Sequence, residues 1–254
     1  ATSHARLLPV VHSFHVNIIL FHQSEVQLPL PRNDVRARHI VDVLRRKAGE
    51  TFDAGILNGP RGKGTVASID DQQVSLDFTW GDPPPPLAPL TLIIGLPRPQ
   101  TARDILRDAT TLGVGALHFV RTEKGEPSYA DSSLWKSHEW QEHLVAGATQ
   151  AFCTRVPVVT HGRTLAEVLA ELPYPATRWL LDNYEAESGL ADSPFAAGAP
   201  AVLGIGSERG WSSGERTRFR QHGFQLAHLG PRVLRTETAC VAAITLALAK
   251  LGRL

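Results

Sequence analysis

Upstream of residue 80 the chain is built from short apolar or alternating runs. They are Asn17–Phe21, Thr51–Leu57, Gly64–Ile69 and Gln73–Phe78. Runs of this length, bounded by Gly, Asn, Asp and Pro, predict strands. Asn58-Gly59-Pro60-Arg61-Gly62-Lys63-Gly64 and Asp70-Asp71 supply the turns between them. Residues 34–47 break the pattern with helical spacing. Val35, Ala37, Ile40, Val41 and Leu44 share a broad face, and Arg38, Asp42, Arg45 and Arg46 lie toward the other. A β region with one helix predicts a small barrel.

After Gly81-Asp82-Pro83-Pro84-Pro85-Pro86 the pattern changes. Four prolines favour an extended segment that continues neither sheet nor helix, so a domain boundary is expected here, with domains at 16–82 and 90–254. Downstream, strands at Leu90–Gly95, Ala116–Val120, Val156–Val159, Arg178–Leu181, Ala201–Ile205 and Phe224–Leu229 alternate with helical patterns. The helices are expected at Ala102–Leu112, Leu134–Phe152, Ser212–His222 and Glu237–Leu251. Ser212 with Glu215 reads as a capping box, and Thr236 as the cap of the last helix. Such alternation predicts an α/β domain with a mainly parallel sheet.

Composition narrows the function. The chain has 254 residues, 43% of them apolar and 20% charged, enough to bury a core. A net charge of +1 means that any nucleic-acid site is a local patch. Two cysteines, Cys153 and Cys240, exclude a disulfide scaffold and a cysteine-rich zinc module, and fit a reducing compartment. No apolar run is long enough to span a bilayer. Residues 1–15 are set apart as a leader. Pro9 interrupts their apolar run, unlike a signal peptide, and Val16 stands at a plausible initiator position.

Three motif-like segments fail on spacing. Gly204-Ile205-Gly206-Ser207-Glu208-Arg209-Gly210 has its third glycine one residue late for a dinucleotide fingerprint. Gly62-Lys63-Gly64 lacks the Ser or Thr of a phosphate loop, and no helix follows. His138 and His143 are five apart, so on one helix they face different ways and do not form a zinc pair. Two loops survive, 203–210 and 228–239, each joining a strand end to a helix start. In open α/β sheets ligands collect outside the carboxyl ends of strands, and glycines there allow close backbone approach.

The sequences IGSERGWSSGE and LGPRVLRTETA in these loops resemble the C-terminal signature of the ribosomal RNA small subunit methyltransferase E family, within the SPOUT methyltransferases. The second loop matches at Leu229, Gly230, Arg232, Leu234, Arg235, Glu237, Thr238 and Ala239. RHIVDVLRRKAGE resembles the family's N-terminal helix, Leu112-Gly113-Val114 its LGV turn, and Gln150 with Arg155-Val156-Pro157 a further segment. The resemblance implies an N-terminal PUA-like small β-barrel that grips RNA. It also implies a C-terminal SPOUT α/β domain with a trefoil knot, a homodimer, and a cytoplasmic enzyme. The implied cofactor is S-adenosylmethionine, with no metal and no membrane. The implied reaction methylates N3 of a uridine in 16S rRNA of the small ribosomal subunit.

Site residues follow from the same resemblance. Leu181, Leu203, Gly204, Gly206, Leu229, Gly230, Val233, Leu234 and Thr236 are expected at the cofactor. Arg235 is expected to stabilise the deprotonated imide or the RNA phosphate, and Glu237 or Glu208 to accept a proton or orient Arg235. Arg36, Arg38, His39, Arg45, Arg46 and Lys47 form a basic cluster suited to phosphate contacts. The rival reading is a catalytically silent RNA-binding homologue that keeps the fold and dimer. It rests on Ser207, Arg209, Asp108, Thr111 and Thr149, which depart from the family pattern. Alanines 239, 242, 243, 247 and 249 of the last helix suggest close packing in a dimer.

Overall fold

The computed structural model describes residues 18–196 and 198–254. The leader, Val16 and the strand start at Asn17 lie outside the described residues. Upstream of the prolines, β1 (Ile19–Phe21), β2 (Leu30–Pro31), β3 (Thr51–Ile56), β4 (Arg61–Ile69) and β5 (Gln73–Trp80) form one sheet in the order β1-β3-β4-β5-β2. β1 is parallel to β3 and the other pairings are antiparallel. This sheet curls into a half-barrel, the form that the expected small β-barrel takes. The sequence reading missed β2, which is two residues long; its Pro31 has no N–H with which to extend a ladder. Ile19, Phe21, Phe52, Ala54, Val66 and Val74 form its core with Ala37 and Ile40.

The expected helix at 34–47 is shorter and wider. Asp34 caps α1 (Val35–Arg38) by accepting from Arg36 N at 2.8 Å. A π-helical turn follows at His39–Val43, where Leu44 N donates to His39 O at 2.8 Å. Arg45 then adopts φ +54°, outside any right-handed helix. Ala37 and Ile40 are buried, while Val35, about 200° from Ala37 around α1, and Val43 are 69% and 65% exposed.

Downstream, β6 (Ala88–Gly95), β7 (Val114–Arg121), β8 (Val158–Thr164), β9 (Thr177–Leu181), β10 (Ala201–Ile205) and β11 (Gln225–Ala227) form a second sheet. Its order is β11-β9-β10-β6-β7-β8, and every pairing is parallel. The helices are α2 (Pro99–Thr111), α3 (Ser133–Lys136), α4 (Glu139–Gln150), α5 (Leu165–Ala170), α6 (Ser213–Gln221) and α7 (Thr236–Lys250). Two apolar clusters cover the sheet, as an all-parallel sheet requires.

The expected helix over Leu134–Phe152 is split by His138 at φ +62°. Trp135 and Trp140 would lie about 140° apart on one continuous helix. The break lets both rings reach His161, with centroids 4.8 and 6.0 Å away.

His228 N donates to Ser188 O, and Leu190 N to His228 O, both at 2.9 Å. The final segment is thereby held against the β9–β10 connection. Cys153 is half-buried and Cys240 buried, and both are free thiols.

The two sheets are bonded to each other. Asn58 N donates to Thr154 O at 2.7 Å, and Thr154 Oγ1 to Gly59 O at 2.6 Å. Val156 N donates to Asn58 Oδ1 at 3.1 Å, and Arg61 Nη1 to Phe152 O at 3.2 Å. Arg155 Nε pins the proline segment through Pro84 O at 3.0 Å. Ile18 and Leu20 pack on Ala148 beneath these bonds.

Candidate active site

A cavity of about 410 Å3 opens over the carboxyl ends of β9, β10 and β11. Three loops line it: residues 181–184 after β9, 205–211 after β10, and Leu229 with 232–237 after β11. Of the expected cofactor residues, Leu181, Gly206, Leu229, Val233, Leu234 and Thr236 line this cavity, together with Glu208, Arg235 and Glu237.

Leu203, Gly204 and Gly230 do not line it. Leu203 is fully buried inside β10. A Cβ on Gly204 would lie 2.6 Å from Leu180 Cδ1 and 3.1 Å from Phe219 Cε1, so this glycine serves the packing of α6 on the sheet. Gly230 makes a turn at φ +98°. Gly206 also serves packing, because its Cβ would stand 2.9 Å from Gly210 Cα. The loop after β10 folds onto itself there, with Gly210 N donating to Ser207 O at 2.8 Å.

Trp211 fixes that loop from below. It is 1% exposed and meets Phe219 of α6 edge-on at 4.8 Å. Such aromatic pairs add about 0.5–1.5 kcal/mol beyond burial of area. The expected capping box is present: Glu215 N donates to Ser212 Oγ at 3.0 Å, and Ser212 N to Glu215 Oε2 at 2.7 Å. Glu215 Oε1 also accepts from Glu123 N at 2.9 Å, tying in the loop after β7. Thr236 is not the cap of α7. Arg235 holds that position with an extended backbone, and Thr236 is the first helical residue.

Sequence reasoning missed Asp182, Asn183, Tyr184, Trp211, Arg98 and Arg232 on the cavity wall. The signal for Asp182–Tyr184 was their position directly after a predicted strand. Asp182 Oδ1 accepts from Tyr184 N at 2.8 Å and Glu185 N at 2.7 Å, shaping the loop. Its Oδ2 accepts from Arg216 Nε at 2.6 Å, and both side chains are nearly sealed from solvent. The Arg216 guanidinium lies over the Tyr184 ring at 5.3 Å.

The charged residues of the cavity are arranged unequally. Glu208 Oε1 accepts from Arg98 N at 3.1 Å and Arg98 Nε at 3.2 Å. Arg235 is 86% exposed, and its ion-pair partner Glu237 lies 3.9 Å away in the first turn of α7. Ser207 Oγ and Trp211 Nε1 are buried with no hydrogen-bond partner within the protein. Leaving such atoms unpaired is costly, and both belong to residues that line the cavity. Apolar Leu181, Ile205, Leu229 and Leu234 beside Asp182, Glu208 and Glu237 suit a nucleoside carrying a cationic sulfonium.

The basic cluster is less uniform than its sequence. Arg36 binds Glu25 at 2.8 Å and Asp34 at 2.9 Å and covers the Phe21 ring, so its charge is already offset. That guanidinium holds both carboxyls below their usual range. His39 Nε2 and Arg46 Nε are buried. Arg38, Arg45 and Lys47 are exposed. Asp42 pairs with Arg32 at 3.8 Å.

The departures at Asp108, Thr111 and Thr149 lie away from the cavity. Asp108 pairs with Arg107 at 3.1 Å. Thr111 Oγ1 donates to Arg107 O at 2.9 Å and Gly147 O at 3.2 Å, where α2 crosses α4. Thr149 lines a separate apolar groove beside β1. Among the described residues no cluster could hold a metal ion, and no helix is long and apolar enough to cross a membrane.

The RNA methyltransferase domain family matches residues 83–248, spanning every strand of the parallel sheet. Ribosomal RNA small subunit methyltransferase E of Treponema pallidum is 37% identical over 245 residues, covering 92% of this chain and 91% of its own. The Borreliella burgdorferi protein ribosomal RNA small subunit methyltransferase E 1 is 29% identical over 93% of this chain and 99% of its own. Among solved structures, the Neisseria gonorrhoeae enzyme bound to S-adenosyl methionine superposes with a TM-score of 0.76. It is 25% identical, and the match covers 93% of this chain and 98% of that one. With the fold, the cavity and these relatives in agreement, the chain belongs to the ribosomal RNA small subunit methyltransferase E family.

Proposed function

We propose that this S-adenosylmethionine-dependent rRNA methyltransferase transfers its methyl group to N3 of a uridine in 16S rRNA of the small subunit. The observation that carries this reading is the cavity over β9, β10 and β11, whose walls include the two signature loops. Leu181, Gly206, Leu229, Val233, Leu234 and Thr236 hold the cofactor, with Ser207 and Trp211 offering their unpaired polar atoms. When bound, S-adenosylmethionine supplies an electrophilic methyl group.

The chain's part is placement and charge. Methyl transfer needs the acceptor nitrogen in line with the methyl carbon, so rigid walls matter more than reactive groups. The loop after β10, locked by Trp211 and the capping box, provides such a wall. Arg235 meets the negative charge that develops on the imide oxygens as N3 gives up its proton. Glu237, 3.9 Å from it, orients the guanidinium. Glu208, held by Arg98, accepts the proton. Residues 90–254 carry this chemistry, and residues 16–82 grip RNA through the exposed Arg38, Arg45 and Lys47.

The functional unit is a cytoplasmic homodimer. Ala243 and Ala247 of α7 are buried within the chain, which leaves Val241, Thr245 and Ala249 as the outward stripe for a second copy. The test is single-turnover methylation of unmethylated small subunits, with mass spectrometry of the 16S rRNA and light scattering of the enzyme. Arg235→Ala should retain cofactor affinity and lose methyl transfer. Transfer at the unmutated rate, or methyl groups on any position but a uridine N3, would overturn the assignment.

A further inference from the structure

The carboxyl edge of the parallel sheet carries a second cavity, of about 250 Å3, lying beside the first. Its walls come from the loops after β6 (Leu96, Arg98), β7 (Lys124 to Glu126, then Tyr129) and β10 (Ser207 to Arg209). The two cavities follow the strand order. The first spans β11, β9 and β10, and the second spans β10, β6 and β7. The β10 loop is the partition between them, and Arg98, Ser207, Glu208 and Arg209 line both sides.

Three cations surround this second cavity, and they differ in how far they are neutralised. Arg98 is paired with Glu208. Lys124 and Arg209 have no carboxylate partner among the described residues. Lys124 Nζ donates to Trp211 O at 3.1 Å, and Arg209 Nη1 to Lys124 O at 3.3 Å. These carbonyl bonds aim the two cations without cancelling their charge. The partition also carries Ser207, 8% exposed and with an unpaired hydroxyl. Two cations without an ion-pair partner, the unpaired Ser207 hydroxyl and the Tyr129 ring match a phosphate joined to a flat heterocycle.

We infer that this second cavity is the acceptor subsite: it takes one nucleoside monophosphate unit of single-stranded RNA, with Lys124 and Arg209 on its phosphate. The inference rests on the methyltransferase reading, because an acceptor must stand next to the methyl donor. A cavity that shares a wall with the cofactor cavity meets that condition, whereas the groove beside β1 does not.

The test uses the full-length enzyme with Lys124→Ala and Arg209→Ala, singly and together, and Lys124→Arg as the charge-preserving control. Three quantities are read: cofactor affinity by calorimetry, the small-subunit concentration giving half-maximal single-turnover rate, and the salt dependence of RNA binding. A uridine trinucleotide is the small probe, in phosphodiester and in uncharged methylphosphonate form. The double variant should raise the half-saturating subunit concentration at least tenfold and flatten the log–log salt slope by about one to two. Cofactor affinity should stay within twofold in Lys124→Ala, whose side chain lines only the second cavity, and Lys124→Arg should restore most of that variant's loss. The phosphodiester probe should outbind the methylphosphonate on the unmutated enzyme and lose that advantage on the double variant. Unchanged subunit saturation, or equal binding of the two probes to the unmutated enzyme, would overturn the inference. Loss of cofactor affinity in Lys124→Ala would overturn it too, since that side chain would then only support the loop. An unmutated enzyme that binds no S-adenosylmethionine would instead sink the methyltransferase reading beneath it.

Discussion

Replacing Asp182 by Asn probes the ion pair that shapes the cavity over β9, β10 and β11. The Asp182 side chain is 2% exposed and that of Arg216 is 8% exposed, with Oδ2 and Nε 2.6 Å apart. The amide keeps the volume but loses the charge. It also has one acceptor oxygen for three donors: Arg216 Nε, Tyr184 N and Glu185 N. Breaking a buried pair costs about 3–5 kcal/mol, because the remaining charge is stranded. Glu185 Oε1, 3.4 Å from Arg216 Nη1 and 39% exposed, retains part of the balance. A half-exposed pair contributes up to about 1 kcal/mol, so the expected loss is about 2–4 kcal/mol. At about 2–4 °C per kcal/mol, the melting point should fall by roughly 4–16 °C. Urea unfolding followed by tryptophan fluorescence measures the loss directly. The same substitution in an Arg216→Met background should cost at least about 1 kcal/mol less, because no charge is stranded there. A loss below about 1 kcal/mol, or equal losses in both backgrounds, refutes the reasoning.

Two further outcomes follow from geometry already described. Gly206→Ala places a methyl group 2.9 Å from Gly210 Cα, backbone that cannot rotate away, so the β10 loop must open. Calorimetry should find cofactor affinity reduced at least tenfold with far-ultraviolet circular dichroism unchanged; retained affinity would show that the loop is not part of the site. In the N-terminal sheet, the folded-state pKa values of Glu25 and Asp34 are depressed, chiefly by hydrogen bonds from Arg36. Their contribution is therefore full above the ordinary carboxylate range and is lost as pH falls through the depressed folded values. Arg36→Ala should destabilise by about 2 kcal/mol at pH 7, and the gap to the unmutated protein should narrow below about pH 4. A gap that stays constant from pH 7 to pH 3 would contradict this.

The site was legible where chemistry and local rules coincide. The Ser212–Glu215 box and the strand Ala201–Ile205 were both readable from residue type and spacing. The same capping pattern at Thr164 and Glu167 opens α5, which was overlooked because the preceding strand was expected to end at Val159. Long-range packing hid the rest. Nothing local distinguishes Gly204, which makes room for Leu180 and Phe219, from Gly206 on the cavity wall. Arg36 reads as one more cation of a basic helix until the fold brings Glu25 within 2.8 Å. Lys124 and Arg98 come from loops more than eighty residues before the signature they stand beside, so only the sheet order unites them.

The proline segment reads as a spacer, yet the structure denies it the freedom of one. Four hydrogen bonds join residues 58–61 to residues 152–156, and Arg155 clasps Pro84. A loose tether would let a gripped RNA search a volume that grows with tether length, at a diluted effective concentration. A bonded frame replaces that search with a fixed span. On the proposed grip at Arg38, Arg45 and Lys47, the nucleotide offered to the cavities is the one that lies at that span. Target choice on that proposal is made as a ruler makes it, by distance from the point of grip, with few contacts needed to the bases between.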